Sequence, residues 1–221
     1  DSVIKKAYKK LKYIPMEQLS AYLSGEYDVL KAEKTDGLGH FEMKTSVALR
    51  GEEEPRPYRV GAYYFRPGNG LYVIAAYREQ RAQELAEELW ESLAVSGIGG
   101  KRASGMGRFA LRQNRLPEAF CRKLETDSKG RQYMSLSVSL PREEELDRAL
   151  EGASYLLCKR GGFVASDTYA PEQARKRDLY VFHAGSCFQA RYEGDVYDVS
   201  GGYGTHPVYR YAKPLFVEVG V

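Results

Sequence analysis

The chain has 221 residues, 43% of them hydrophobic, and a formal net charge of +3 at pH 7. That length holds two small domains or one larger one, and the composition is that of a globular protein. Three widely spaced cysteines, Cys121, Cys158 and Cys187, form no CxxC pair, which argues against a disulfide scaffold and against a zinc site; no apolar run approaches the roughly 18 residues of a membrane span.

The opening, DSVIKKAYKK, is charged and amphipathic rather than signal-like. Ile4, Ala7, Tyr8 and Leu11 stand at helical spacing, Pro15 interrupts them, and a second short pattern runs through Leu19 and Leu23, predicting a helical opening segment over residues 1–35. From His40 the period changes to two: Phe41, Met43, Thr45, Val47 and Leu49 alternate with more polar residues, GEEEPRPYR follows, and Val60 to Phe65 alternates again. This predicts a long hairpin with a protruding, charged tip. Pro67 to Gly70, PGNG, is a turn, and Leu71 to Tyr77 reads as a third strand. A helix is expected from Glu79 to Ala94, with Leu85, Leu89, Trp90 and Leu93 as its apolar stripe and Ser96-Gly97 as its end. A glycine-rich loop, a strand from Met106 to Gln113 and an irregular link with a turn at DSKG complete a first domain over residues 36–131. The second domain, 132–221, shows strands at Tyr133–Leu140, Ser154–Lys159 and Leu179–His183, a short helix at Arg142–Leu150 opened by Pro141, and a tail of strands broken by AGS, EGD and GGYGTHP. The order implies an α+β protein of two units, each a helix on an antiparallel sheet, the second like a split βαββαβ unit and the first without its opening strand and helix.

Charge is unevenly spread. Ser96 to Arg131 holds nine Lys or Arg against three acidic residues, whereas Glu79 to Glu91 is acidic. A basic block on a nearly neutral chain points to a local anionic partner. Its densest part is GIGGKRASGMGRF, Gly97 to Phe109, with five glycines, two arginines and one lysine in thirteen residues. Glycines permit positive φ and close approach of a ligand to the backbone, and successive N–H groups can then face one concavity that accepts phosphate oxygens. Lys101, Arg102 and Arg108 add charge, and arginine can grip phosphate with two bonds or stack on a base. The loop is not a Walker A motif, because Lys101 is followed by Arg102 and not by Ser or Thr. The helix also precedes the loop and offers it the negative end of its dipole. A polyanionic backbone draped over the loop therefore fits better than a nucleotide in a cradle.

The stretch helix, SGIGGKRASGMGRF, strand resembles the glycine-rich loop of the RAMP proteins of CRISPR systems. With AGSCF at Ala184–Phe188, HPVYRY at His206–Tyr211 and KYIPMEQLSAYLSGEY near the start, the chain is similar over nearly its whole length to the fourth-subunit family of the type III-A Csm effector complex. The resemblance implies two ferredoxin-like (RRM-like) domains and an antiviral ribonucleoprotein subunit; no cofactor is expected, and the odd, widely spaced cysteines read as reduced thiols of a cytoplasmic protein. It implies binding of the 5′ tag of the CRISPR RNA, contact with the large polymerase-like subunit and with the neighbouring backbone RAMP subunit, and indirect contact with target RNA. Carried onto this sequence, the RNA-binding residues are Gly97, Gly99, Gly100, Lys101, Arg102, Ser104, Gly105, Gly107, Arg108 and Phe109; His40, at the head of a hairpin strand, and His183, at the end of a strand, are candidate further contacts on their own positions and not through the resemblance.

Some RAMP relatives cleave RNA, and a metal-independent ribonuclease needs a positioned acid and base. His40, His183 and His206 are the three histidines. His206 precedes Pro207 in a turn and reads as structural; His183 ends a predicted strand before a glycine turn and reads as structural or RNA-contacting, while His40 heads a hairpin strand and has no obvious partner. Glu143, Glu144 and Glu145 start a helix, where acid complements the dipole, and adjacent helical positions do not converge on a metal. Asp195 and Asp198 read as turn residues. The expectation is a non-catalytic subunit. The alternative is a metal-independent endoribonuclease that processes precursor RNA through His40 or His183.

Overall fold

A computed structural model describes residues 2–11, 13–32, 38–48, 54–125, 131–166, 168–202 and 204–219. It is a mixed α+β chain with small antiparallel sheets, divided into two compact units: Asp1–Leu19 with Tyr27–Asn114, and Ser20–Glu26 with Arg115–Val221. Among the described residues no helix is long and apolar enough to cross a membrane.

The chain opens with α1 (Ser2–Lys10), followed after a 3-10 turn by α2 (Leu19–Leu23). In the first unit, β1 (Gly39–Ala48) and β2 (Arg56–Phe65) form the expected long hairpin, in unbroken register from Gly39 opposite Phe65 to Ala48 opposite Arg56. The tip at residues 49–53 lies outside the described residues, as does the DSKG turn. Period two sorts the side chains. His40, Glu42, Lys44 and Ser46 share a face with Tyr64 and Tyr58, while Phe41, Met43 and Val47 share the other with Tyr63 and Phe65.

Two expected strands do not form. Leu71–Tyr77 has no strand partner among the described residues, with Leu71, Tyr72 and Val73 exposed, because there β1 and β2 pair with each other. Alternation confers strand propensity, but a strand exists only where a neighbour completes its ladder. The Met106–Gln113 segment is not a strand either, and the Phe109 N–H instead reaches back to the Ala94 carbonyl at 3.2 Å. Between these segments α3 (Gln80–Ser96) matches its prediction closely. Its stripe is only half covered: Trp90 and Leu93 are half-buried, Leu85 and Leu89 exposed.

The link after the loop contains a helix that periodicity did not reveal, α4 (Glu118–Glu125). Pro117 starts it, Glu118 and Arg122 suit the two ends of its dipole, and Phe120, Cys121 and Leu124 form a stripe too short to stand out. α4 packs on β9 (Phe216–Val219), and Arg191 donates to the Leu124 carbonyl at 2.7 Å.

In the second unit β3 (Gln132–Ser135) lies between β9 and β6 (Cys187–Phe188). β4 (Leu157–Arg160) pairs with β5 (Leu179–Phe182), and β7 (Val196–Asp198) with β8 (Tyr209–Tyr211). The predicted Tyr133–Leu140 strand breaks after Ser135, whose hydroxyl donates to the Ser137 carbonyl; the chain touches a sheet again where Ser139 bridges Phe182. The core is aromatic: Tyr133, Phe182, Phe188, Tyr192 and Phe216 are buried together with Ala149. The Tyr192 hydroxyl lies 2.6 Å from Ser139 Oγ, and burial pushes the Tyr192 phenol up to about 12.

The 3-10 turn Glu143–Glu145 leads into α5 (Leu146–Leu150). The Glu145 carboxylate accepts from the backbone N–H of Arg142 (2.9 Å), Glu193 (2.8 Å) and Gly194 (3.1 Å), tying the turn to a segment 48 residues away. Burial alone would raise its pKa, but the N–H groups of Glu193, Arg142 and Gly194 outweigh that and hold it below the usual carboxylate value. A depressed carboxyl stabilises the fold above its unfolded pKa of about 4.3, and the contribution is lost as pH falls through the folded value. Glu145→Gln is therefore expected to cost about 1–2 kcal/mol at neutral pH, at the low end for charged hydrogen bonds because the site is half exposed. Urea denaturation at two pH values checks this: the gap to wild type should shrink in acid.

Candidate nucleic-acid interface

The glycine-rich loop leaves the C-terminal end of α3 as a closed excursion. Gly97 caps the helix with φ 82°, its N–H donating to the Leu93 carbonyl at 2.7 Å. Ile98 N–H donates to the Gly107 carbonyl at 3.0 Å and draws the neck together. Inside, Lys101 adopts a left-handed conformation (φ 59°) and opens a 3-10 turn over Arg102–Ser104, with Ser104 N–H and Met106 N–H both donating to its carbonyl.

The five glycines divide into two kinds. At Gly97 a Cβ would stand 2.8 Å from the Met106 carbonyl oxygen, and at Gly107 it would collide with the Ile98 carbonyl, so these two let the neck close. Gly99, Gly100 and Gly105 face open space. Gly99 and Gly105 have positive φ; Gly100 does not, so nothing in the chain itself demands glycine there. A bare backbone at an open position suits the close approach of a ligand.

Lys101, Arg102, Ser104 and Arg108 are exposed, and Phe109 is half-buried. The Lys101 ammonium reaches the hairpin, 2.8 Å from the Tyr58 hydroxyl and 4.4 Å from its ring centroid. That hydrogen bond, with the charge behind it, holds the Tyr58 phenol below its usual pKa. Tyr58 lies on the same face as His40, Lys44 and Tyr64. His40 stacks on Tyr64 at 5.5 Å, and Lys44 sits 5.2 Å from that ring. The outcome is a surface of cations interleaved with the exposed Tyr58 ring and the half-buried Tyr64 ring, beside an open glycine backbone. Periodicity alone did not single out Tyr58, Tyr64 and Lys44; they stand out only when the hairpin register puts His40 and Lys44 of one strand on the same face as Tyr58 and Tyr64 of the other.

The other candidates stand apart from this surface in their bonding. His183 belongs to the second unit, is exposed, and donates from Nδ1 to the Ala184 carbonyl at 2.7 Å. His206 has both ring nitrogens engaged, with the Pro207 carbonyl at 2.9 Å and the Ser166 hydroxyl at 2.9 Å, as befits a structural turn residue. The AGSCF motif is core: Gly185 N–H donates to the Ser135 carbonyl at 2.7 Å, and Ser186 and Phe188 are buried. Among the described residues no group of three or more His, Cys, Asp or Glu could hold a metal ion.

The fold is shared with a known CRISPR structure. Over 93% of this chain it matches a chain of the "Crystal structure of Csm3-Csm4 subcomplex in the type III-A CRISPR-Cas interference complex", with a TM-score of 0.52 and 20% identity, spanning 60% of that chain. The profile of the CRISPR Csm4 C-terminal domain matches residues 128–219. CRISPR system Cms protein Csm4 of Mycobacterium tuberculosis is 40% identical over 220 residues, covering 99% of this chain and 70% of the relative. Its namesake from Streptococcus thermophilus is 36% identical over 216 residues, covering 98% and 68%. The chain belongs to the Csm4 family of type III CRISPR complex subunits.

Proposed function

We propose that the chain is a non-catalytic RNA-binding subunit of a cytoplasmic type III-A CRISPR complex. It holds the single-stranded 5′ tag of the CRISPR RNA on the loop from Gly97 to Phe109 and on the His40–Tyr64 face of the hairpin. In this reading the regions 36–131 and 132–221 are two RAMP domains of ferredoxin-like descent. The subunit links the large polymerase-like subunit to the backbone RAMP subunits and meets target RNA only through the guide.

One observation carries the reading: three open glycines stand next to exposed cations in a loop whose neck is closed by its own hydrogen bonds. Charge comes from side chains, because the adjoining helix end is the negative one. Single strands are bound by this pairing of a cationic track with aromatic faces for the bases. The bonding of His206 supports a role without cleavage: both of its ring nitrogens are used within the fold.

Gly100→Val tests the ligand side of this reading. The backbone conformation accepts a side chain and the space is empty, so the melting temperature should stay unchanged while RNA affinity falls several-fold. Fluorescence anisotropy with a tag-bearing RNA reads the affinity, and unchanged affinity would remove the loop from the interface. Repeat RNA incubated with the chain in the absence of metal is expected to remain intact on a denaturing gel.

A further inference from the structure

We propose that the second unit carries a contact surface of its own for single-stranded RNA, on the ribbon formed by residues 159–163 and 174–180. The sequence Lys159-Arg160-Gly161-Gly162-Phe163 repeats in reduced form the composition of the glycine-rich loop: adjacent cations, paired glycines, a terminal phenylalanine. Arginine, glycine and aromatic residues in such clusters recur where proteins hold single strands without reading their sequence.

The structure organises these residues. The ladder of β4 and β5 ends with Arg160 opposite Leu179, but the antiparallel run continues past it. Lys176 N–H donates to the Gly162 carbonyl at 2.8 Å, Phe163 bridges Arg175, and Val164 N–H donates to the Ala174 carbonyl at 2.9 Å. A Cβ at Gly161 would meet the Asp178 carboxylate, so glycine there leaves that side chain room beside the backbone. Relieved of that clash, Asp178 pairs with Lys159 at 2.7 Å and with Arg175 at 3.6 Å, and one carboxylate orients two cations. The ribbon nevertheless keeps five Lys or Arg against this single acid. Arg177 is used internally, on the Asp198 carbonyl at 2.5 Å.

The aromatic residues decide the kind of partner. Phe163 is 55% and Tyr180 58% exposed, and Tyr180 stands directly opposite Lys159 across the ribbon. An acidic protein segment would use the cations and leave the rings idle. A single strand uses both, phosphates on the cations and bases on the ring faces. The choice of RNA over other single strands rests on the function proposed above, while the surface shares no residue with the loop.

The test measures binding of the full chain to a labelled oligouridylate across a salt series. Four proteins are compared: wild type, Arg160→Ala/Arg175→Ala, Lys101→Ala/Arg102→Ala, and all four substitutions together. The ribbon pair is expected to lower affinity several-fold and to flatten the salt slope by about 1.4 units, at about 0.7 for each phosphate of a single strand that is no longer neutralised. The fourfold variant should fall below either pair. A ribbon pair with wild-type affinity and slope overturns the proposal, including the case in which it only disturbs assembly with another protein. A shift in the ribbon pair with none in the loop pair would leave the ribbon standing and remove the loop reading. Photocrosslinking of thiouridine-substituted RNA to the wild-type chain gives a second readout that depends on no variant's folding. Cross-linked peptides containing Phe163 or Tyr180 support the surface, and cross-links confined to other peptides overturn it.

Discussion

Replacing Lys101 and Arg102 together by alanine is expected to weaken the binding of single-stranded guide RNA and to flatten its salt dependence by about 1.4 units, at about 0.7 for each neutralised phosphate. Both side chains are exposed, and among the described residues neither makes an ion pair with a carboxylate. Their charge is therefore available to a phosphate without a carboxylate to displace. Lys101 does hold Tyr58, and alanine there frees the loop from the hairpin as well as removing charge. The double variant should thus lose more affinity than the slope alone accounts for, while Arg102→Ala by itself should lose only its share. Exposed interactions of this kind contribute little to folding, so the thermal midpoint should stay within a degree or two of wild type, on the order of 0.5 kcal/mol. Anisotropy titrations at several salt concentrations, beside a melt of each variant, separate the two effects. Unchanged affinity and slope would make the basic block an ordinary solvated surface.

Phe188→Ala is expected to cost about 3–5 kcal/mol and to unfold the second unit under mild denaturant. The ring is fully buried, with centroids 5.2 Å from Phe182, 5.2 Å from Tyr192 and 5.8 Å from Phe216. Each edge-on or tilted pair adds about 0.5–1.5 kcal/mol beyond the area it buries, and one truncation weakens three of them. A domain is stable by only about 5–15 kcal/mol, so the loss is a large fraction of the total. The denaturation midpoint, followed by tyrosine fluorescence, measures it. A shift below about 1 kcal/mol would mean that the cluster closes over the gap. The contrast with the loop explains the AGSCF motif: it marks the family through core packing, with no ligand required.

The hairpin, α3 and the loop were legible in the sequence because each is encoded locally. Strict alternation from Phe41 to Val47 specifies two faces, and the matching run up to Phe65 specifies the partner. Leu85, Leu89 and Leu93 repeat at helical spacing, and Gly97 accepts the positive φ that ends the helix. Composition alone marked Gly97–Phe109 as a loop rich in glycine and positive charge. The failures were equally physical. Leu71–Tyr77 has the pattern of a strand but no ladder to join, and α4 has a stripe of three residues within a basic stretch, too weak a signal against its surroundings.

By itself, then, the sequence determined where the backbone alternates, where it winds, and where glycine and positive charge are concentrated. Only the tertiary structure decided what each of those residues is for. Gly107 and Gly100 are indistinguishable by residue type, yet one faces the Ile98 carbonyl across the neck and the other faces open space. Lys101 and Arg102 are neighbours of like charge, yet one lies on Tyr58, 43 residues away, and among the described residues the other has no such hold. Lys159 and Arg175 become one surface only because Asp178 pairs with both. These differences depend on which distant atoms stand opposite a residue, and no local pattern of size, polarity or period carries that information.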